Sequence, residues 1–244
     1  MAISAFYRSQ VSADLRNVRR DDLLVWVAGA PFFLALAFRF GLPPLSRLLD
    51  RELGFDLAPY HGLLMSFFVL MAPTMVGWVI GFLLLDERDE GTLTALLVTP
   101  LPLGGYLLYR TAAPLLLAFA VTVAGYPIAG LAPLPFADLV AVSLVAALNG
   151  PANSLFLAAF AENKISGLAL AKILNTLAMI PIAAFFITSQ WQVVAGVMPT
   201  YWPMKMTWLA AAGQDYAGYV IPGLAVYGIV MFLLLKRFIA RMRR

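Results

Sequence analysis

Six apolar runs without an Asp, Glu, Lys or Arg, at 23–38, 62–85, 111–137, 139–161, 173–204 and 216–235, take up 142 of the 244 residues. A helix needs about 20 apolar residues to cross ~30 Å of hydrocarbon at ~1.5 Å per residue, so each run reads as a membrane span or most of one. Only 12% of the residues are charged, against roughly 25% in a soluble chain. The prediction is an all-α membrane protein with six transmembrane helices in a single domain over 1–244. The first run reads as a retained span, because Gly41-Leu42-Pro43-Pro44 after it lacks a small-x-small cleavage pattern.

Six spans put both ends of the chain on one side, which allows the distribution of positive charge to be tested. Thirteen basic residues fall on the side of the termini (Arg8, Arg16, Arg19, Arg20, Arg88, Arg110, Lys164, Lys172, Lys236, Arg237, Arg241, Arg243 and Arg244). Four fall on the other (Arg39, Arg47, Arg51 and Lys205). Cytoplasmic loops carry the excess, so the reading is a multi-pass cell-membrane protein, a bacterial inner-membrane protein by type, with both termini in the cytoplasm. Five of the seventeen basic residues lie in the last nine positions, directly after a span. That placement suits anionic lipid headgroups as partners and not nucleic acid. With no cysteine and one histidine, His61, neither a His/Cys metal site nor thiol chemistry is expected, and no catalytic residue is assigned.

Residues 1–21 begin with apolar positions at helical spacing (Ile3, Phe6, Tyr7, Val11, Leu15, Val18), and Arg8, Ser12, Arg16 and Arg19 stand on the other side. This predicts an amphipathic helix at the cytoplasmic interface. Asp21 and Asp22 then sit where a helix N-terminus favours anions. Span 1 is expected to end near Phe40, with 41–60 an external polar segment broken by Pro43, Pro44 and Pro59. In span 2, Gly77 and Gly81 have the spacing that lets helices approach closely. Span 4 carries Asn149-Gly150-Pro151 and Asn153-Ser154 at mid-depth, a break whose amides must find partners. Span 5 is expected to start near Lys172. Its run of 32 residues is too long for one crossing, so 189–215, rich in Trp, Tyr and Pro, reads as an external interfacial or re-entrant segment before span 6.

Between spans 2 and 3 lies Asp86-Glu87-Arg88-Asp89-Glu90-Gly91-Thr92-Leu93, followed by Leu96-Leu97 and Thr99-Pro100-Leu101-Pro102. The acids would complement a helix N-terminus, Leu93, Leu96 and Leu97 share one face, and Pro100 and Pro102 stop the helix. Lipid-surface helices are basic on their polar side, whereas this one starts with net negative charge. A leucine face with an acidic head suits a groove on a soluble partner. The segment resembles the signature of type-2 ATP-binding-cassette transporter permeases, with Asp89 standing where many relatives have Glu. The resemblance extends over nearly the whole chain.

The resemblance implies that 86–102 is a coupling helix inserted into a cleft of an ATPase subunit, with Glu87, Arg88, Asp89, Glu90, Gly91, Thr92, Leu93, Leu96, Leu97 and Pro100 as its contact residues. It implies two permease subunits, of the same or a homologous chain, and two ATPase subunits. ATP and magnesium are expected on the ATPase, since this sequence has no G-x-x-x-x-G-K-[ST] phosphate loop. Cargo is expected to pass between the permeases along spans 2 and 5, past Phe67, Met71, Thr74, Trp78, Asn175, Met179, Ile182 and Phe186. The uncharged spans favour amphipathic or hydrophobic small molecules, as in the small drug-export permeases, fluoroquinolone exporters among them; a lipid or lipid-linked glycan is the alternative. An ion-coupled secondary transporter is disfavoured because ionisable groups fall at span ends and not at mid-depth.

Overall fold

The computed structural model describes residues 2–90, 103–187 and 189–242, and within them all regular structure is helical. An amphipathic helix α1 (Ala2–Arg20) leads into α2 (Asp22–Leu53), and α3 (His61–Asp89) follows a short 3₁₀ turn. Then come α4 (Leu103–Ala129), the pair α5 (Phe136–Ala147) and α6 (Asn149–Phe160), α7 (Lys164–Ala178), α8 (Tyr201–Ala211) and α9 (Ala217–Met242). Among the described residues six helical stretches are long and apolar enough to cross a membrane: 22–53, 58–89, 104–129, 136–160, 164–186 and 217–241.

The apolar window of α3 is 89% buried and that of α5–α6 72%, whereas α2, α4, α7 and α9 bury a third or less of theirs. The bundle is therefore organised around α3, with α6, α4 and α8 packed directly on it. The two glycines of α3 explain the closeness. A Cβ on Gly77 would lie 2.5 Å from the Gly150 carbonyl oxygen, and one on Gly81 would lie 2.8 Å from Leu157 Cδ1. Small residues thus bring the α3 and α6 backbones together. The break in span 4 falls at Leu148, and its amides find partners: Asn149 Nδ2 donates to Thr74 Oγ1 (2.6 Å) and Asn153 Nδ2 to the Asn149 carbonyl (2.8 Å).

Three expectations are corrected. Residues 41–53 are not an external loop, because α2 runs through Pro43 and Pro44 to Leu53. It stops at Gly54, at φ +63°, where the Gly54 N–H donates to the Asp50 carbonyl (2.9 Å) and the Phe55 N–H to the Leu49 carbonyl (3.2 Å), a left-handed cap that ends the helix regardless of the prolines before it. Span 5 starts at Lys164 and not near Lys172, because Asn163 and Ser166 form a reciprocal capping box. The acids of 86–89 do not open a new helix, because they form the last turn of α3. Gly91 to Pro102, which hold the remainder of the expected coupling helix, lie outside the described residues.

Beyond Ala178 the chain changes character. Pro181 stands near the start of a 3₁₀ segment over Ile180–Phe186, and a second runs over Gln190–Val197. The path then doubles back: Thr200 Oγ1 donates to the Ala178 carbonyl (3.2 Å), and α8 returns to the start of α3, where Trp208 Nε1 donates to Ser66 Oγ (2.7 Å). Tyr201, Trp202 and Trp208 are buried against protein, while Trp191 is exposed.

Candidate functional site

The last turn of α3 is the hub of a polar plate at one end of the bundle. Arg110, two turns into α4, is fully buried and lies between Asp14 of α1 (Nη1 to Oδ2, 3.0 Å) and Glu87 of α3, to which Nη2 donates. Two phenols complete the set: Tyr109 donates to Asp14 (2.7 Å) and Tyr106 to Glu87 (2.8 Å). Their rings lie 5.3 and 5.5 Å from the guanidinium carbon, within cation–π range. Burying one cation against two carboxylates is tolerable because three of the four carboxylate oxygens accept a hydrogen bond from the guanidinium or a phenol, although Arg110 Nε has no partner among the described residues.

A second cluster stands beside it. Lys164, at the start of α7, donates to Asp86 (3.1 Å) and to Asp21. Asp21 also caps α2, accepting from the Leu24 N–H (3.2 Å). Arg88 donates to the Glu162 carbonyl, and Arg241 of α9 to the Ala159 carbonyl (3.0 Å). Asp89 and Glu90 face solvent. Of the ten expected coupling residues, then, Glu87 and Arg88 point into the bundle and two are exposed. The other six, Gly91, Thr92, Leu93, Leu96, Leu97 and Pro100, are outside the described residues. The plate ties α1, α2, α4, the α6–α7 turn and α7 to the place where 91–102 begins, so a displacement there reaches five elements at once.

The lysine hydrogen bond holds the Asp21 carboxyl below its ordinary value of 3.8, against partial burial that acts the other way. Because the folded value is lowered, the stabilisation is present above pH 3.8 and is lost as the pH falls through the folded value. Asp21→Asn keeps the cap but removes the charge. The variant is expected to melt below the wild type at neutral pH by up to about 1 kcal/mol, with the gap closing in acid; detergent-phase melting against pH measures it.

The residues expected to face cargo separate into groups. Phe67, Met71, Met179 and Ile182 meet in one cluster with Tyr201, Trp202 and Met204. Thr74 is buried and engaged by Asn149. Trp78 Nε1 and Asn175 Oδ1 are buried polar atoms with no partner among the described residues. Phe186 is exposed, its ring 6.2 Å from that of Tyr60. A cavity of about 130 Å³ lies nearby, lined by Asn149, Asn153, Leu177, Thr200 and Tyr227, and the Tyr227 hydroxyl is buried without a partner among the described residues. None of the eight expected cargo residues lines it. Also unforeseen are Asp14, Tyr106, Tyr109, Arg110 and Lys164. Asp14 alone left a local trace, an acid three residues after Val11 and four before Val18 on an apolar stripe. Among the described residues no group of three His, Cys, Asp or Glu is placed to hold a metal ion.

The sequence family described as fluoroquinolones export permease protein Rv2686c-like matches residues 14–235. The chain is 36% identical over 244 residues to the fluoroquinolones export permease protein Rv2686c of Mycobacterium tuberculosis strain H37Rv, covering 98% of this chain and 95% of the relative. The chain belongs to this family. The same identity and coverage hold for the fluoroquinolones export permease protein MT2760 of M. tuberculosis strain CDC 1551. No solved structure matches the chain. A fluoroquinolones-export-type permease is a membrane transport protein, in keeping with the six apolar helical stretches. The family match starts at Asp14 and therefore takes in every acid and base of the plate from there through Lys164.

Proposed function

We propose that the chain is the membrane subunit of an ATP-driven exporter of amphipathic small molecules, fluoroquinolone-type compounds among them, and that a separate ATPase subunit docks on 86–102. The observation that carries this reading is the anchoring of that segment's root: Asp86 and Glu87 are ion-paired to α7 and α4, and through shared cations to α2 and α1. A surface loop that only joined two spans would not need a buried arginine and two ion-paired acids at its root. The family name and the resemblance of 87–101 to type-2 ATP-binding-cassette permeases support the same reading.

On this reading the plate and both termini face the cytoplasm, in line with the thirteen-to-four split of basic residues, and 189–215 dips into the membrane from the outside. A second permease, the same chain or a homologue, packs on apolar surface left open on the bundle. Cargo moves along α3, α7 and the 3₁₀ segment that follows it, past Phe67, Met71, Met179 and Ile182. ATPase closure displaces 86–102, and the plate passes the movement to α1, α2, α4 and α7 together.

The test co-expresses and co-purifies the chain with a candidate ATP-binding-cassette ATPase subunit. Glu90→Lys and Leu96→Asp are expected to release the ATPase, or to return its cargo-stimulated hydrolysis to the basal rate, while the permease still inserts. Export that survives ATP depletion and is abolished by an ionophore would overturn the proposal.

A further inference from the structure

The outer side of α1 carries two surfaces that adjoin. At helical spacing Val11, Leu15 and Val18 form one stripe, and Arg8, Ser12, Arg16 and Arg19 form the next. Beside the apolar stripe runs a groove of about 640 Å³, floored by Val79, Ile80 and Leu83 of α3 and walled by Leu108, Ala112 and Leu116 of α4. Val11 and Leu15 also line a shallower basin of about 570 Å³, whose other walls are Arg8, Ser12, Arg16 and Arg19. An apolar slot and a basic basin thus share a rim.

The chemistry of each half is narrow. The charged residue on the slot's lining, Asp14, is already engaged by Arg110 and Tyr109, so the slot has almost nothing to offer a polar occupant. Leu108, Leu116 and Leu117 are left exposed along it. From Leu108 to Leu117 the wall is ~14 Å long at 1.5 Å per residue, close to the ~15 Å of one leaflet's hydrocarbon. At the rim, no ion pair with a described carboxylate involves Arg8, Arg16 or Arg19. Guanidiniums in that state match phosphate oxygens. A peptide occupant would bring backbone N–H and C=O groups into a slot that cannot satisfy them.

We propose that this slot and basin bind one anionic glycerophospholipid of the surrounding bilayer, an acyl chain lying in the groove and the phosphate held by Arg8, Arg16 and Arg19. The bound lipid wedges α1 against α3 and α4 beside Arg110, so the charge of the inner leaflet sets how firmly the polar plate is held. The site rests on the proposed orientation, with the plate at the cytoplasmic side of the membrane; ATPase coupling can fail without touching it.

The experiment takes the full chain in neutral detergent and adds dioleoyl-phosphatidylglycerol or dioleoyl-phosphatidylcholine, reading retained lipid by native mass spectrometry and stability by melting. One phosphatidylglycerol per protomer is expected to be retained and to raise the melting temperature, with phosphatidylcholine doing neither. At about fivefold per arginine near an anionic surface, the triple variant Arg8→Ala/Arg16→Ala/Arg19→Ala is expected to weaken retention roughly a hundredfold. Ala112→Phe fills the groove and is expected to lower retention with all three arginines in place. Soluble glycerophosphoglycerol, which has the headgroup and no chains, is expected not to compete, and it tests the groove even if Ala112→Phe misfolds. Equal retention of the two lipids, full competition by the headgroup alone, or a doubled protein mass that the triple variant abolishes would each overturn the proposal, the last by placing a second copy of the chain there.

Discussion

Arg110→Met is expected to lower stability by about 3–5 kcal/mol, because it strips Asp14 and Glu87 of the only cation that pairs with them among the described residues and leaves two largely buried carboxylates without a counter-charge. Arg110→Lys should fall between, since an ammonium keeps the charge but cannot fork to α1 and α3 in one plane. The triple variant Asp14→Asn/Glu87→Gln/Arg110→Met removes all three charges and is expected to recover most of the stability, as neutral replacements of buried ion clusters do. It should not recover export if the cluster carries movement from 86–102 to α1 and α4. Melting in detergent reads the first effect and drug efflux from cells the second. A triple variant that folds and exports at the wild-type rate would reduce the cluster to a fastener.

The contrast between what could be read from the sequence and what could not has a physical basis. A bilayer admits few charges, so six spans are legible from the placement of Asp, Glu, Lys and Arg alone. Gly77 and Gly81 were legible as a contact surface because their four-residue spacing leaves no side chain on one face. Helix ends were less legible: Pro43 and Pro44 look like a stop, yet the stop is the left-handed cap at Gly54. The place of the acids of 86–89 in the last turn of α3 was not legible, since short-range rules favour carboxylates at a helix N-terminus and say nothing of a cation elsewhere in the chain. Arg110 lies 96 residues from Asp14 and 23 from Glu87, a pairing that no local spacing encodes. The same holds for the proposed cargo wall. The family resemblance on spans 2 and 5 points to Phe67, Met71, Met179 and Ile182, which do cluster, but only the fold brings Tyr201 and Trp202 to them.

Gly77→Ala is expected to be nearly as damaging as the loss of Arg110, for a different reason. Its methyl carbon would stand 2.5 Å from the Gly150 carbonyl oxygen and 2.8 Å from Asn153 Cβ. The first of these is backbone and cannot rotate away. Relief requires α6 to move off α3, and α6 is held from behind as well, since a Cβ on Gly150 would in turn lie 2.9 Å from the Pro114 carbonyl of α4. Separation would also stretch the Asn149–Thr74 hydrogen bond, now 2.6 Å, and leave buried polar atoms unmet. Overpacking and a lost buried hydrogen bond together cost about 2–4 kcal/mol, or roughly 10 °C in melting temperature for a chain of this size. Gly228→Ala, where nothing lies within 4 Å of the added carbon, is expected to be neutral or slightly stabilising through helix propensity. If both variants melt with the wild type, the α3–α6 contact is looser than these distances require, and the bundle's centre lies elsewhere.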